Sequence, residues 1–515
     1  MGDGKDRGDT MQNNIRNGLN KKVAFIGICC LLPVTILCAR ESGVQPAQVE
    51  FHDIVIVGGG ISGLTAGYFL KDKDLVLLEK NDTVGGRTSS GHHKQFTYAK
   101  GTEYLGEPDD VLAGMVSKLG LEMKEIPSPM DAIYDGESIS YGSDGIARHL
   151  IKHSDLETYN NFIKLISSEY KHYDEIPDTE YNDRTKKMDY MDAKSWLTAN
   201  GIPEVYIDKY NVTSRGLFGA GLQEISALSL IPEVAFDYDD DEHGYVLDDE
   251  PGSAAEQYAE AKKESSNSYT FTKGISELTD KLGHALNGKL RAGSTVTGIT
   301  RQGENYAVVY TQKGGKQATI LARRVVIATP APVTLKIADA VLSSERKEIM
   351  KGITYAPYVT VALFSDTPIF DKAFDLAVPD SYFFTDVYDA TWVERFYDQQ
   401  KKDRANIISV YIAPKTSHDQ SILTMSDHEL LKNVYRDLDK IFSAASKKIT
   451  GYDIERFPYG YPVMSLGAYD RLLKLNNSDD DSIVLAGDYM IYPTFEAAVQ
   501  SGYYAAEKIL EADHD

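Results

Sequence analysis

The apolar positions of this chain fall into short runs and alternations. Ile54 to Val57 is an unbroken β-branched run, as a strand buried on both faces requires. Leu64 to Leu70 continues apolar and predicts a helix, and Leu75 to Leu78 predicts a second buried strand. Further on, Gly293-Ser-Thr-Val-Thr-Gly-Ile-Thr and Tyr306-Ala-Val-Val-Tyr alternate with period two, which predicts a β-hairpin. Arg324-Val-Val-Ile-Ala-Thr-Pro-Ala-Pro reads as a buried strand stopped by prolines. Lys273-Gly-Ile-Ser-Glu-Leu leads into a helix. Ser482-Ile-Val-Leu-Ala-Gly-Asp-Tyr predicts one more short strand, and the chain from Pro493 runs into a helix ending near Leu510. Between these blocks, Asp237 to Glu250 is acidic and predicts an exposed loop, while Ala254 to Ser268 predicts a short surface helix. The chain carries no internal repeat.

The amino end is a different object. Residues 1–20 are rich in Gly, Asp and Asn and read as unstructured. Lys21 and Lys22 then precede an apolar run, residues 23–39, interrupted by Pro33. A basic flank, a short apolar stretch and the small residue Ala39 describe an export signal or a membrane tether. The run is short for a bilayer span, which takes ~20 residues. The expectation is an exported (periplasmic or secreted) or membrane-anchored protein, with the choice left open.

With 515 residues the chain suits two or three interleaved cores. Its formal charge of −23 disfavours a phosphate backbone as partner, so no nucleic-acid binding is expected. The three cysteines, Cys29, Cys30 and Cys38, all lie near the amino end. A thiolate metal site, a Cys nucleophile and a disulfide framework are therefore excluded from the remainder, and no metal site is expected. Asn211-Val-Thr and Asn476-Asn-Ser are glycosylation sequons, meaningful only in a eukaryotic secretory setting.

The chemistry is concentrated just after the first strand. Gly58, Gly60 and Gly63 spell G-x-G-x-x-G, with Ser62 inside it. Gly58 permits the tight turn off the strand, Gly60 lets the backbone approach a pyrophosphate, and Gly63 lets helix and strand pack closely. The helix amino terminus directs N–H groups and partial positive charge at the phosphates. Glu79 ends the second strand 21 residues after Gly58, where a carboxylate accepts hydrogen bonds from ribose hydroxyls and repels a 2′-phosphate. Together these predict a dinucleotide site.

Asn81-Asp-Thr-Val-Gly-Gly-Arg-Thr-Ser follows, and Gly85-Gly86-Arg87 resembles the second signature of the flavin amine oxidase superfamily. That group includes monoamine and polyamine oxidases, protoporphyrinogen oxidases and carotenoid-type desaturases. Two glycines let the backbone pass the dinucleotide, and Arg87 supplies a cation to the pyrophosphate. Lys100-Gly-Thr-Glu-Tyr-Leu-Gly resembles the family's loop past the flavin ring, with Gly101 and Thr102 as matched positions. Val296 matches a valine whose backbone meets the adenine. Gly487-Asp488 and the amides near Ala497 and Ala498 match the element that meets the ribityl chain and pyrimidine edge. The resemblance covers nearly all of 51–512. It implies an α/β fold: a discontinuous Rossmann-like FAD-binding domain (51–105, 270–345 and 450–512) and a mixed α+β substrate domain (106–269 and 346–449), after a flexible 1–50. It implies FAD as cofactor, held non-covalently because no cysteine is available in the folded region.

The implied reaction is dehydrogenation of a C–C or C–N bond of a small organic substrate, by hydride transfer to flavin N5. Two departures bear on the substrate. Thr360, in Tyr358-Val-Thr-Val-Ala-Leu-Phe, stands where many relatives carry a lysine that holds a water against N5. Thr494 stands where monoamine oxidases place a tyrosine of the amine cage, although Tyr459, Tyr461, Tyr489 and Tyr492 keep the neighbourhood aromatic. Arg456-Phe-Pro-Tyr-Gly-Tyr-Pro-Val-Met resembles a proline turn of the protoporphyrinogen oxidase and desaturase relatives. On these departures an apolar substrate ranks slightly above an amine. The alternatives are an amine oxidase proper, a catalytically silent FAD-binding module, and an NAD-linked dehydrogenase. The reaction shared by these relatives requires no strong general base, so no catalytic residue is named. His92-His93 reads as a surface turn. The electron acceptor is left open.

Overall fold

The computed structural model describes residues 49–512 except 109, 174–179, 237, 239–244, 247–252, 399–404 and 479. The 23–39 run and most of the acidic 237–250 segment lie outside the described residues. Among the described residues no helix is long and apolar enough to cross a membrane.

Two seven-stranded sheets organise the chain. In the first, Glu50–Val57 pairs in parallel with Leu75–Leu78 on one side and with Gln317–Ile327 on the other. Leu290–Arg291 extends the parallel set beyond Leu75–Leu78. Ile483–Leu485 runs parallel to the end of Gln317–Ile327, and the start of that strand pairs antiparallel with Asn305–Gln312. The predicted hairpin is Ser294–Gln302 against Asn305–Gln312, turned at Gly303.

Parallel strands need cover on both faces, and the alternation supplies it. Ile54 and Ile56 enter a core with the helices Ile61–Phe69, Ser276–Ala285 and Phe495–Glu511. Val55 and Val57 enter another with Tyr306, Val308, Tyr310 and the helices Leu156–Tyr170, Glu204–Phe218 and Ala227–Phe236. The helices Ile61–Phe69 and Phe495–Glu511 press together through Gly502, where a Cβ would stand 2.2 Å from the Ser62 carbonyl oxygen.

The second sheet runs, edge to edge, Ile449–Pro462, Tyr355–Ser365, Asn406–Ile412, Asp386–Asp389, Asp375–Ala377, Asp131–Tyr134 and Ile139–Tyr141. Its pairs are antiparallel except Asp375–Ala377 with Asp131–Tyr134. One face is aliphatic: Val359, Val361, Leu363, Ile408, Val410, Ile412, Leu376 and Val387 pack on Leu430, Leu431, Val434 and Leu438 of the helix Asp427–Ile441. That helix starts in a capping box, Ser426 with Glu429. The opposite face carries Tyr358, Thr360, Ser409, Tyr411, Asp386, Tyr388 and Asp375, which alternate with the aliphatic positions along the same strands.

The expected proline turn at 456–464 is instead the end of the Ile449–Pro462 strand. Pro458, which has no N–H to give a ladder, falls where the register against Tyr355–Ser365 shifts, between the pairs Tyr358–Phe457 and Ala356–Tyr461. The segment 254–268 does begin with a short surface helix, Ala254–Ala261. Both sequons are internally committed: Asn211 Oδ1 accepts from the Leu222 N–H, and Asn476 Nδ2 donates to the carbonyls of Leu472 and Met490.

Candidate functional site

At the carboxyl end of Glu50–Val57 the chain turns through glycines that nothing else replaces. Gly58 has φ +107°, and a Cβ there would lie 2.4 Å from the Ala328 carbonyl oxygen. A Cβ on Gly63 would lie 2.0 Å from the Gly58 carbonyl oxygen, so the helix Ile61–Phe69 sits directly on the turn that precedes it. Gly60 caps that helix, and a Cβ on it would meet nothing within 4 Å. The backbone there faces open space at a helix amino terminus, the arrangement an anionic ligand needs.

The second glycine pair leans on the first. Gly85 N–H donates to the Gly59 carbonyl, and a Cβ on Gly86 would come within 3.4 Å of Gly60 Cα. Glu79 is 5% exposed and holds this junction: Oε2 accepts from the Gly59 N–H at 2.7 Å and Oε1 from the Asn81 N–H at 2.8 Å. Each oxygen keeps a lone pair for a ribose hydroxyl. The Ser294 N–H donates to the Glu79 carbonyl oxygen, which brings the strand bearing Val296 to the same place.

Arg87 Nη1 donates to Asp488 Oδ2 at 2.6 Å and to the Gly460 carbonyl at 2.8 Å. Burial pulls against its charge, but the Asp488 carboxylate outweighs this and holds the guanidinium more firmly protonated than usual. Its Nε and Nη2 donors are uncommitted to either contact, so they remain for a phosphate oxygen. The Arg87 carbonyl accepts from the Thr102 N–H, and a Cβ on Gly101 would collide with that carbonyl at 2.1 Å. Tyr355 and Tyr489 each bury a hydroxyl with no hydrogen-bond partner, and both rings neighbour Asp488.

Gly487 has φ +148°, and its N–H donates to Ser501 Oγ. Thr494 caps the helix Phe495–Glu511. The N–H of Ala497 donates to the Thr494 hydroxyl and that of Ala498 to the Thr494 carbonyl. These two amides are thus engaged by Thr494 within the cap. Thr494, expected in place of a cage tyrosine, serves the backbone. The neighbouring Glu496 accepts from the Gly106 N–H at 2.8 Å and fastens the loop 100–106 to this helix. Sequence reading passed over Glu496; its place beside an N-cap threonine was the available signal.

The loop 100–106 lies against the polar face of the second sheet. Thr360 Oγ1 donates to the Lys100 carbonyl at 2.6 Å, and the Tyr411 hydroxyl donates to the Gly101 carbonyl. From there a row of rings follows the sheet. Centroid separations are 5.4 Å for Tyr461–Tyr358, 5.9 Å for Tyr358–Tyr411, 4.9 Å for Tyr411–Tyr388 and 5.4 Å for Tyr388–Phe374. Among these rings sit three carboxyl groups the sequence did not single out. Burial pushes Glu103 up to about 8 and Asp386 up to about 6. Asp375 is raised well above the carboxylate range by burial and by Asp386 and Asp131.

Of the four aromatic residues expected near the ring, Tyr461 lies by Arg87 and Asp488, and Tyr489 by Asp488. Tyr459 is exposed at the sheet edge, and Tyr492 donates to the Ser229 carbonyl in the helical core. His92 and His93 lie on a short hairpin, Ser90–His93 with Phe96–Ala99, where His93 stacks on Phe364. Among the described residues no group of His, Cys, Asp or Glu is placed to hold a metal. The open face at Gly60, the Glu79 carboxylate, the Arg87 donors and the orphaned tyrosine hydroxyls fit a dinucleotide whose polar edge ends near Asp488.

Residues 61–510 match the family described as flavin containing amine oxidoreductase. The flavin-containing amine oxidase of Oncorhynchus mykiss is 24% identical over 299 residues, covering 56% of this chain and 52% of that protein. The match thus spans about half the length of that curated relative. Among solved structures, cyclohexylamine oxidase from Brevibacterium oxydans IH-35A superposes with a TM-score of 0.69 at 17% identity, covering 90% of this chain and all of the other. A protein of Exiguobacterium sp. 255-15 assigned as a protoporphyrinogen oxidase gives 0.65 at 18% identity over the same share of each. Both likenesses concern the fold.

Proposed function

The chain belongs to the flavin-containing amine oxidoreductase family and is an FAD-dependent oxidoreductase, and from that premise we propose that it dehydrogenates the C–N bond of a small amine. The bound flavin supplies the two-electron acceptor. Glu79, Arg87, Asp488 and the glycine turns hold it in place. The second sheet, with the loop 100–106, holds the substrate against it.

One observation carries the choice of an amine over an apolar substrate. The tyrosines expected of a cage are missing from the Thr494 position, but Tyr461, Tyr358 and Tyr411 form a row of rings that reaches the Gly101 carbonyl. Ring faces attract an ammonium group and stack on its alkyl stem. Buried carboxyls beyond the rings add negative charge when ionised, which an apolar C–C substrate does not use. The overall reaction removes a hydride equivalent from carbon and a proton from nitrogen, leaving an imine that water hydrolyses. Thr360, in place of the lysine, keeps C–C dehydrogenation as the second reading.

Anaerobic mixing of the FAD-loaded chain with primary amines, with an apolar C–C substrate as comparison, tests this. Bleaching of the flavin band by the amines and not by the C–C substrate is the expected result. The reverse pattern supports the second reading, and a flavin that stays oxidised throughout describes a silent module.

A further inference from the structure

We propose that Thr360 is a positioning residue for the flavin: acting through the Lys100 carbonyl, its hydroxyl turns the Gly101 N–H away from the second sheet and toward an acceptor atom of the flavin ring. This rests on the cofactor reading of the loop 100–106 and is independent of which bond the enzyme oxidises.

The placement follows from strand register. Thr360 pairs with Tyr411 on one neighbouring strand and with Glu455 on the other, so the three side chains leave the same face of the sheet. Asp453, two residues before Glu455, leaves that face as well. Lys100 lies across this group. Its ammonium meets Asp453 at 2.8 Å and Glu455 at 3.7 Å, and its carbonyl accepts from Thr360 Oγ1 at 2.6 Å. Its N–H donates to the Ser89 carbonyl at 2.8 Å. Side chain and main chain of Lys100 are therefore both anchored, and the peptide that follows it has little room to rotate.

A trans peptide carries its C=O and its N–H on opposite sides. The Lys100 carbonyl points at the sheet, so the Gly101 N–H of the same peptide points away from it. The next peptide behaves in the same way and shows where that direction leads. Its carbonyl, that of Gly101, accepts from the Tyr411 hydroxyl on the sheet, and its N–H, that of Thr102, donates to the Arg87 carbonyl at 3.0 Å. Both peptides thus turn their carbonyls to the sheet and their N–H groups to the side of the Gly85-Gly86-Arg87 turn. Arg87 takes one of these donors, whereas no acceptor among the described residues takes the Gly101 N–H. The approach is close enough to require glycine, since a Cβ there would stand 2.1 Å from the Arg87 carbonyl oxygen.

Thr360 is 4% exposed, and its proton is committed to the Lys100 carbonyl. Without that hydroxyl the carbonyl loses its donor in a buried place, and the peptide turns to find another. An N–H held at a fixed angle meets developing charge without reorganising, which is what makes a preorganised donor effective. Reduction makes the flavin ring richer in electrons, so a donor aimed at a ring acceptor favours the reduced form. Thr360 therefore acts on the cofactor's electronics at one remove, through a peptide it does not belong to.

The test compares the FAD-loaded chain with Thr360→Val, which keeps the shape and loses the hydroxyl, and Thr360→Ser, which keeps the hydroxyl. FAD content checks folding, and the readouts are the flavin midpoint potential and hydrogen–deuterium exchange at the Gly101 amide. Thr360→Val should retain FAD, exchange that amide at least roughly tenfold faster, and shift the two-electron equilibrium about tenfold toward the oxidised flavin, which is about 30 mV. Thr360→Ser should restore both values. A potential that is unchanged or raised in Thr360→Val overturns the proposal, and so does a fall that serine does not restore. If Thr360→Val fails to hold FAD, Thr360→Cys, a weak donor, is read in the same way. Fast exchange at Gly101 in the unaltered loaded chain overturns the cofactor reading of the loop together with the proposal. Slow exchange there, with a potential indifferent to Thr360→Val, overturns the positioning role alone and leaves that reading standing.

Discussion

Arg87 and Asp488 stand 401 positions apart in the chain, yet their side chains meet in a 2.6 Å ion pair beside the glycine turns. Each comes from a different half of the cofactor cradle, and each is fixed by its own backbone: Arg87 by the Gly85-Gly86 turn, Asp488 by Gly487 and the Ser501 hydroxyl. The pair therefore reports whether the two halves are assembled.

Arg87→Ala and Asp488→Ala should each weaken FAD retention by roughly 1–3 kcal/mol, the range for a charge-assisted contact. Fluorescence titration of deflavinated protein with FAD measures this directly. Unchanged affinity in both variants refutes the assignment of this pair to the cofactor.

Gly502→Ala places a methyl 2.2 Å from the Ser62 carbonyl and must separate two packed helices. The expected cost is about 1–3 kcal/mol, typical of overpacking. Gly298→Ala, whose added methyl meets nothing within 4 Å, is the matched control and should change stability little. Thermal denaturation of the two variants side by side separates a packing effect from a general intolerance of glycine replacement.

Thr494→Ala removes the hydroxyl that accepts from the Ala497 N–H, at a cost of about 1 kcal/mol for a lost N-cap. Thr494→Ser keeps the acceptor and should restore most of it. If alanine and serine behave alike in chemical denaturation, the cap is not what the threonine supplies.

Stability should also depend on pH through Glu103. Burial raises this group from 4.5 to about 8, so the fold favours its neutral form. Its contribution is complete below pH 4.5 and is lost as pH rises through about 8. Glu103→Gln should flatten that alkaline decline. Urea midpoints at about pH 5 and about pH 9 compare the two chains, and an identical decline in both would show that Glu103 is not the titrating group.

How far the sequence disclosed this depends on the reach of each constraint. Gly58, Gly63 and the β-branched run Ile54 to Val57 were legible because a strand, a turn and a helix within ten residues leave few residue types possible. Glu79 was legible by spacing, and the structure adds that its carboxylate also buttresses Gly59 and Asn81. The second sheet was harder. Asp375 and Asp386 sit on strands of three and four residues whose neighbours come from distant parts of the chain, so their shared face exists only once the register is known. The 456–462 segment was misread because Pro458 and Gly460 suggest a turn, whereas one register shift absorbs them within a strand. At Ala497 and Ala498 the structure adds the Thr494 cap, which the sequence reading did not consider.

The first parallel sheet has a strand near its beginning, Glu50–Val57, and another near its end, Ile483–Leu485, and the helix Ile61–Phe69 is clasped by Phe495–Glu511. During synthesis the opening strand–helix unit therefore waits until residues 483–511 have been made before its hydrophobic flank is covered. Flavin loading is accordingly expected only after residues 483–511 have been made. A ribosome stalled before Ile483 would display a nascent chain with its glycine turns present and that flank bare, and such a chain would be one for chaperones to shelter.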